Sequence, residues 1–163
     1  MFQFEVHGED EDGNPLVTSK GEPMSISKNY SVFLGQNTSL RADLESWRGK
    51  PFTKEEIEGF NLANVLGHWC LITVIKTTGK DGNEYANISA ISPVPKAMKV
   101  NLPEPVNEAK MFSIKDPDME LFESLSVKLK EKIMNSPEWK ARNEPKNYPQ
   151  PSSNFDDDNS IPF

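Results

Sequence analysis

The sequence predicts an α+β fold in which antiparallel strands dominate. Short segments alternate apolar and polar residues, and turn-forming residues separate them. The predicted order is strand, strand, helix, strand, strand, followed by a Pro-rich segment and a C-terminal helical region. With 36% hydrophobic residues and a mean hydropathy of −0.62, the 163-residue chain should form a compact core and leave a substantial remainder unpacked.

The first two strands are predicted near the N-terminus. Residues 2–6 alternate as Phe-x-Phe-x-Val, and residues 8–15 then form a turn that contains Asp12-Gly13. Residues 24–34 alternate well enough to predict a second strand, which Gly35 ends.

Two helices are predicted next. The first begins after a cap at Asn37 or Thr38 and ends at Gly49, because apolar residues recur at i, i+4 and i+7 from Leu40. Trp47 lies on this apolar face and is predicted to be core. Residues 53–56 have the capping-box pattern that opens a second short helix.

Two further strands and a helical region complete the predicted fold. Residues 68–76 are apolar on both alternating faces, which predicts a central strand covered on both sides. Residues 80–83 form a hairpin turn, and residues 85–91 return as the partner strand. Residues 93–117 contain five prolines and predict an extended linker. Asp116 then caps an amphipathic helix that runs to about Met134, and a shorter helical turn covers 136–142.

Charge is distributed unevenly. The net charge is −7, yet residues 23–100 hold nine basic and seven acidic side chains. We therefore divide the chain into a binding domain over 1–100, a Pro-rich linker with amphipathic helical segment over 101–142, and a disordered linker with an acidic tip over 143–163. The lone Cys70, the absence of a signal-peptide pattern and the absence of a membrane-length apolar run predict a soluble cytoplasmic protein.

The C-terminal tip predicts a docking segment. An acidic run leads into an apolar end whose terminal carboxylate and aspartates could meet a basic rim, although a solvated terminus is the default for an acidic tail. The residues predicted to bind a partner protein are Asp156, Asp157, Asp158, Ile161, Pro162 and Phe163.

Catalysis is poorly supported by the sequence. His7 and His68 have no partner at metal-ligand spacing, and Cys70 lies between Trp69 and Leu71, which predicts a buried thiol of raised pKa. No Gly-rich phosphate loop is present. We expect neither enzymatic activity nor a cofactor nor a metal.

Binding of unpaired bases is better supported, since it requires aromatic faces beside positive charge. Tyr30 and Tyr85 are the best candidates for stacking. Trp69 is a third candidate, although the very apolar strand that it begins makes a core position the more typical one. The residues expected to neutralise phosphates are Lys28, Arg41, Arg48, Lys76 and Lys80. Because these are few, we predict weak and salt-sensitive binding at each site.

Two parts of the chain resemble known single-stranded DNA-binding proteins. The tip is similar to the acidic tail of bacterial and phage members, although Asn159 and Ser160 separate the aspartates from Ile-Pro-Phe. The stretch 27–96, with its segment 41–49 of sequence Arg-Ala-Asp-Leu-Glu-Ser-Trp-Arg-Gly, resembles a phage family with an OB-fold.

The resemblance implies an OB-fold-like barrel that coats single-stranded DNA during phage replication or recombination in the bacterial cytoplasm, with the tip recruiting replication or repair enzymes. An OB-fold has five strands, and four are found here. The fifth is lost, truncated, or replaced by residues 16–18. Open strand edges pair readily with other chains, so we expect oligomerisation or strand exchange.

Two other functions remain open. The net negative charge and the sparse basic residues favour a phage adaptor that binds a host replication protein and no DNA. A small nuclease using Asp116 and Asp118 is a second alternative, although helix capping explains that pair more simply.

Overall fold

The computed structural model describes residues 1–143, so the predicted tip residues 156–158 and 161–163 lie outside the described part. The chain divides into a unit over Met1–Met111 and a second that begins at Phe112, and each is described separately below. None of the helices formed by residues 1–143 combines the length and the apolar character needed to cross a bilayer.

The first sheet is an antiparallel pair, β1 (Phe2–Val6) and β2 (Met24–Lys28). The strand predicted to reach residue 34 therefore ends at Lys28. Residues 16–18 do not form a fifth strand: the Leu16 N–H donates to the Gly8 carbonyl, and the Leu16 carbonyl accepts from the Met24 N–H. This segment contributes only an isolated bridge beside β2.

The second sheet is the hairpin of β3 (Leu71–Thr78) and β4 (Glu84–Ser92). Its turn and both strands are as predicted to within a few residues. A bulge opposite Thr73 and Val74 leaves Ser89 without a cross-strand partner. Tyr85 and Asn87 therefore share a face of the hairpin, and the bulge shifts Ser89 relative to them.

The prediction that β3 is covered on both sides is wrong. Seven of its eight residues are exposed, and only Ile72 is half-buried. The first helix packs on β4, where Ile88 and Ile91 are buried, and β3 itself pairs only with β4 among the described residues. In this protein, the strand that is apolar on both faces is therefore an exposed strand of a hairpin.

The helices of the first unit follow the sequence signals. Helix α1 (Ser39–Arg48) begins at the N-cap Thr38 and ends at Gly49, whose φ of 74° suits glycine. Helix α2 (Lys54–Glu58) carries the predicted capping box. A short 3₁₀ turn follows at Leu62–Val65. The core cluster consists of Leu40, Leu44 and Phe52, with Trp47 packed against it as predicted.

In the described part of the second unit, residues 112–143, there are three helices where one long and one short helix were expected. They are α3 (Met119–Ser124), α4 (Val127–Met134) and α5 (Pro137–Asn143). The predicted cap at Asp116 is wrong, because Asp118 accepts the hydrogen bond from the Leu121 N–H. The predicted long helix breaks at Leu125, whose ψ of 154° is extended.

Aromatic packing holds the second unit together. The rings of Phe122 and Trp139 stack with centroids 5.0 Å apart, and Phe112 lies 5.7 Å from Phe122.

The α+β class with antiparallel pairing is confirmed. In the described residues the four strands form two separate two-stranded sheets, and hydrogen bonds do not join them into a closed barrel. Strand β2 lies against β4 without forming a ladder with it.

Candidate nucleic-acid interface

Tyr85 is an exposed aromatic side chain held in place at the end of the hairpin. Its side chain is 49% exposed, and its hydroxyl donates to the Asp81 carboxylate over 2.5 Å. Asp81 also accepts from the Asn83 amide, and the Tyr85 bond and the Asn83 bonds together hold the pKa of this carboxyl below its usual range. The ring is thus fixed against the turn and still accessible to a ligand.

Gly79 makes this position of the ring possible. A Cβ added at Gly79 would lie 2.6 Å from Cε2 of Tyr85 and 2.5 Å from the Asp81 carboxylate. Such distances are far inside van der Waals contact, so any residue with a side chain would displace the ring. The Gly79 N–H donates to the Asn83 carbonyl and closes the turn beneath Tyr85.

Two predicted cations, Lys76 and Lys80, lie on the same hairpin. Lys76 is 4.0 Å from Glu84, and both side chains are largely exposed, so this ion pair is weak and easily exchanged. Lys80 forms no ion pair with any residue in 1–143. The hairpin also carries Asp81 and Glu84, so its formal charge is balanced. Stacking, rather than charge, is what this surface can offer.

Tyr30 and Lys28 meet at a different place, beside Asp43 of α1. The Tyr30 hydroxyl donates to Asp43 over 2.7 Å, and the Lys28 ammonium lies 2.7 Å from the same carboxylate. Burial and the hydrogen bond to Asp43 raise the pKa of Tyr30 far above its usual range. Tyr30 packs against the core cluster and Phe2 and is half-buried, so its ring offers less free face than that of Tyr85, and its role in stacking stays a prediction.

The two arginines of α1 are engaged by carboxylates. The Arg41 Nε donates to Glu45, one helical turn later, over 2.8 Å. Arg48 makes a two-pronged contact with Glu56 at 3.0 and 2.7 Å, and its guanidinium lies 4.3 Å from the ring centre of Phe52. The hydrogen bonds from Arg48, followed by the Thr53 N–H, lower the pKa of Glu56 to about 2. Neither arginine is available for phosphate without losing its partner.

Trp69 lies in a half-buried position that fixes two other aromatic groups. Its carbonyl accepts from the Trp47 indole N–H over 2.9 Å, and its ring lies 5.0 Å from that of His7. The neighbouring Cys70 is half-buried, and burial raises the pKa of its thiol to about 11, in the predicted direction. The eight predicted residues therefore fall into separate groups. Tyr85, Lys76 and Lys80 lie on one exposed hairpin, but Lys76 pairs with Ala86 and so projects from the face opposite to Tyr85.

Phe33 is an exposed aromatic that the sequence interpretation missed. Its side chain is 69% exposed, and its ring lies over Gly35, where any Cβ would clash with it. The sequence predicts residues 31–34 as the end of the second strand, whereas the structure has an irregular segment there. The adjacent exposed Val32 and the glycine two residues on were the available signals for an irregular segment.

Comparisons of the chain with protein-family models, curated proteins and solved structures find no match. Within residues 1–143, no three His, Cys, Asp or Glu side chains converge in a way that could hold a metal ion. The residues and their geometry therefore carry the functional argument.

Proposed function

We propose that this protein is a non-catalytic single-stranded DNA-binding protein. It coats single strands during phage replication or recombination in the bacterial cytoplasm, needs no cofactor, and recruits replication or repair proteins through its acidic tip at 155–163. The observation that carries the proposal is the exposed Tyr85 ring, which Gly79 and Asp81 fix and which has Lys80 in the adjacent turn.

The proposed fold is an OB-fold-like domain that lacks one strand. Two hairpins flank α1, β2 lies against β4, and α1 packs on β4. In this proposal the unpaired edge of β3 is where an additional strand would close the barrel, and the sheet therefore remains open in the described chain.

Base stacking on Tyr85 supplies most of the binding free energy at each site. Stacking an unpaired base on an aromatic side chain contributes about 1–3 kcal/mol and does not depend on sequence. Duplex DNA hides the faces of its bases, so the same surface should discriminate against it. Lys80 is the cation next to this ring, and Lys76 is within reach only of a strand that passes around the edge of the hairpin. The slope of log Kd against log salt should therefore be shallow, about 0.7 to 1.4 in magnitude.

The ion pairs formed by the predicted phosphate contacts favour a second candidate function, that of an adaptor protein. Three of the five predicted phosphate contacts, Lys28, Arg41 and Arg48, are each held by a carboxylate within 3 Å. An adaptor that binds a host replication protein through its acidic tip would require none of these cations to be free.

A binding titration separates the two functions. The full chain is added to a labelled single-stranded oligonucleotide and, separately, to the matched duplex, and fluorescence anisotropy is followed at low and moderate salt. A rise with the single strand alone, which weakens gently with salt, supports the DNA-binding function. An unchanged anisotropy with both probes refutes it and leaves the adaptor.

Deletion of residues 155–163 tests the proposed role of the tip. Since the tip and DNA are both polyanions, they compete for the same cations, and the deletion should tighten DNA binding at low salt. Unchanged affinity would refute this competition without affecting recruitment.

A further inference from the structure

The first unit contains a groove of about 800 Å³ that the hairpin site does not use. It lies between α1, the segment 52–69 and the segment 93–102. Its apolar walls are formed mainly by Trp47, Phe52, Phe60 and Trp69. The volume falls in the range of pockets that hold small ligands, about 300–1,000 Å³.

The aromatic walls are fixed before any ligand arrives. The Trp47 indole is tied to the Trp69 carbonyl, and the Phe52 and Phe60 rings meet edge to face with centroids 4.9 Å apart. Phe52 is 7% exposed and belongs to the core cluster. A planar ligand would therefore meet walls that need little rearrangement, which reduces the entropic cost of binding.

Among the polar side chains that line the groove, Lys99 is a cation without an ion-pair partner in residues 1–143. Glu56 is held by both Arg48 nitrogens, so its negative charge is already compensated. Within residues 1–143, no hydrogen-bond or ion-pair partner engages the side chains of Asn64, His68 and Lys99. The rim can therefore accept an anion at Lys99 and can hydrogen-bond a polar, planar group through Asn64 and His68.

We propose that this groove binds one nucleotide of a single strand, with the base against the aromatic walls and its phosphate at Lys99. The inference rests on the proposed function and adds a second contact point to the hairpin site. A nucleotide suits the groove better than an apolar peptide side chain does. A base edge can pair with Asn64 and His68, whereas an apolar group would cover both without satisfying them.

The charge reversal Lys99→Glu tests the phosphate contact in the full chain. Lys99 is exposed, so the fold should tolerate the change. Losing one phosphate contact should reduce the salt slope of oligonucleotide binding by about 0.7 and weaken affinity. The matched control is Lys20→Glu, an exposed lysine in the turn at 18–22 that makes the same change in net charge. Equal effects of the two reversals would overturn the inference.

Tryptophan fluorescence tests the base contact independently. In a Trp139→Phe variant only the groove residues Trp47 and Trp69 report, since the chain has three tryptophans. A saturating unlabelled oligonucleotide should quench this emission, and unchanged emission at saturation would overturn the inference.

The outcomes also separate this inference from the proposed function. If the oligonucleotide binds but neither readout responds, the groove assignment fails alone. If the oligonucleotide does not bind at all, both fail. If a synthetic acidic peptide ending in Ile-Pro-Phe quenches the two tryptophans and the oligonucleotide does not, the groove is a peptide site and the inference is overturned.

Discussion

Truncating Tyr85 should weaken single-stranded DNA binding while leaving the protein folded. The ring is half exposed, and its OH–Asp81 bond lies at the surface, so both contribute little to stability. Its cross-strand partner is Thr77, and such a pair contributes about 0.2–1 kcal/mol. The Tyr85→Ala variant should therefore lose about 1 kcal/mol of a total that is typically 5–15 kcal/mol.

The effect on binding should be much larger. A lost stacking contact costs about 1–3 kcal/mol, which is about a 5- to 150-fold increase in Kd. Tyr85→Phe keeps the ring and loses only the hydroxyl, so its Kd should stay within about threefold of the original, well under 1.4 kcal/mol. Anisotropy titration of a labelled oligonucleotide measures both variants, and circular dichroism checks the fold.

Gly79→Ala perturbs the same ring without removing it. The added methyl would occupy the space of Cε2 of Tyr85, whereas Thr78→Ala changes a neighbour on the opposite face of the hairpin. Only the first should weaken binding. If Tyr85→Ala and Gly79→Ala both bind as tightly as the original chain, the stacking platform is refuted.

Three further predictions follow from other parts of the chain. Burial raises the pKa of Glu5, but hydrogen bonds from Val106, His7 and Asn107 outweigh it and lower the pKa from 4.5 to about 2. The carboxylate therefore stabilises the fold fully above pH 4.5 and progressively less toward pH 2. Glu5→Gln should destabilise the chain at pH 7 and have little effect at pH 2; a pH-independent difference in thermal unfolding would contradict this.

Asp118→Ala should destabilise the second unit by about 0.5–2 kcal/mol, and Asp116→Ala should not, because only Asp118 caps α3; equal loss of ellipticity on heating would refute the assigned cap. The unpaired β3 edge predicts self-association at micromolar concentration, and Ile75→Lys should shift the mass toward the monomer. A monomeric mass for the unsubstituted chain in light scattering would contradict that prediction.

Local signals in the sequence were sufficient for much of the first unit. The Thr38 cap, the capping box at Thr53 and Glu56, and the hairpin turn at 80–83 each depend on residues within a few positions of one another. Such contacts are encoded by spacing, and the structure places them where the spacing predicts.

Coverage of the strands could not be predicted in this way. Residues 68–76 are apolar on both faces, which is typical of a central strand, yet seven of the eight residues of β3 are exposed, and β4 is its main neighbour among the described helices and strands. Whether an apolar strand is covered depends on the arrangement of distant elements, and periodicity contains no information about that.

Contacts between distant elements also decide which residues of the candidate site are available, and the sequence pattern does not show these contacts. The Arg41–Glu45 pair follows from helical spacing, but Arg48 reaches Glu56 across the α1–α2 connection, and Lys28 and Tyr30 meet Asp43 through tertiary packing. Counting basic residues along the chain therefore overstated the number available for phosphate.

Photochemical crosslinking is the most direct test of base stacking at the hairpin. The full chain would be irradiated in complex with a bromodeoxyuridine-containing single strand, digested with trypsin, and analysed by mass spectrometry. Base stacking at the hairpin predicts a crosslink to Tyr85 within the peptide 81–96, and this crosslink should be lost in Tyr85→Ala. Crosslinks confined to other peptides, with the hairpin unmodified, would contradict it.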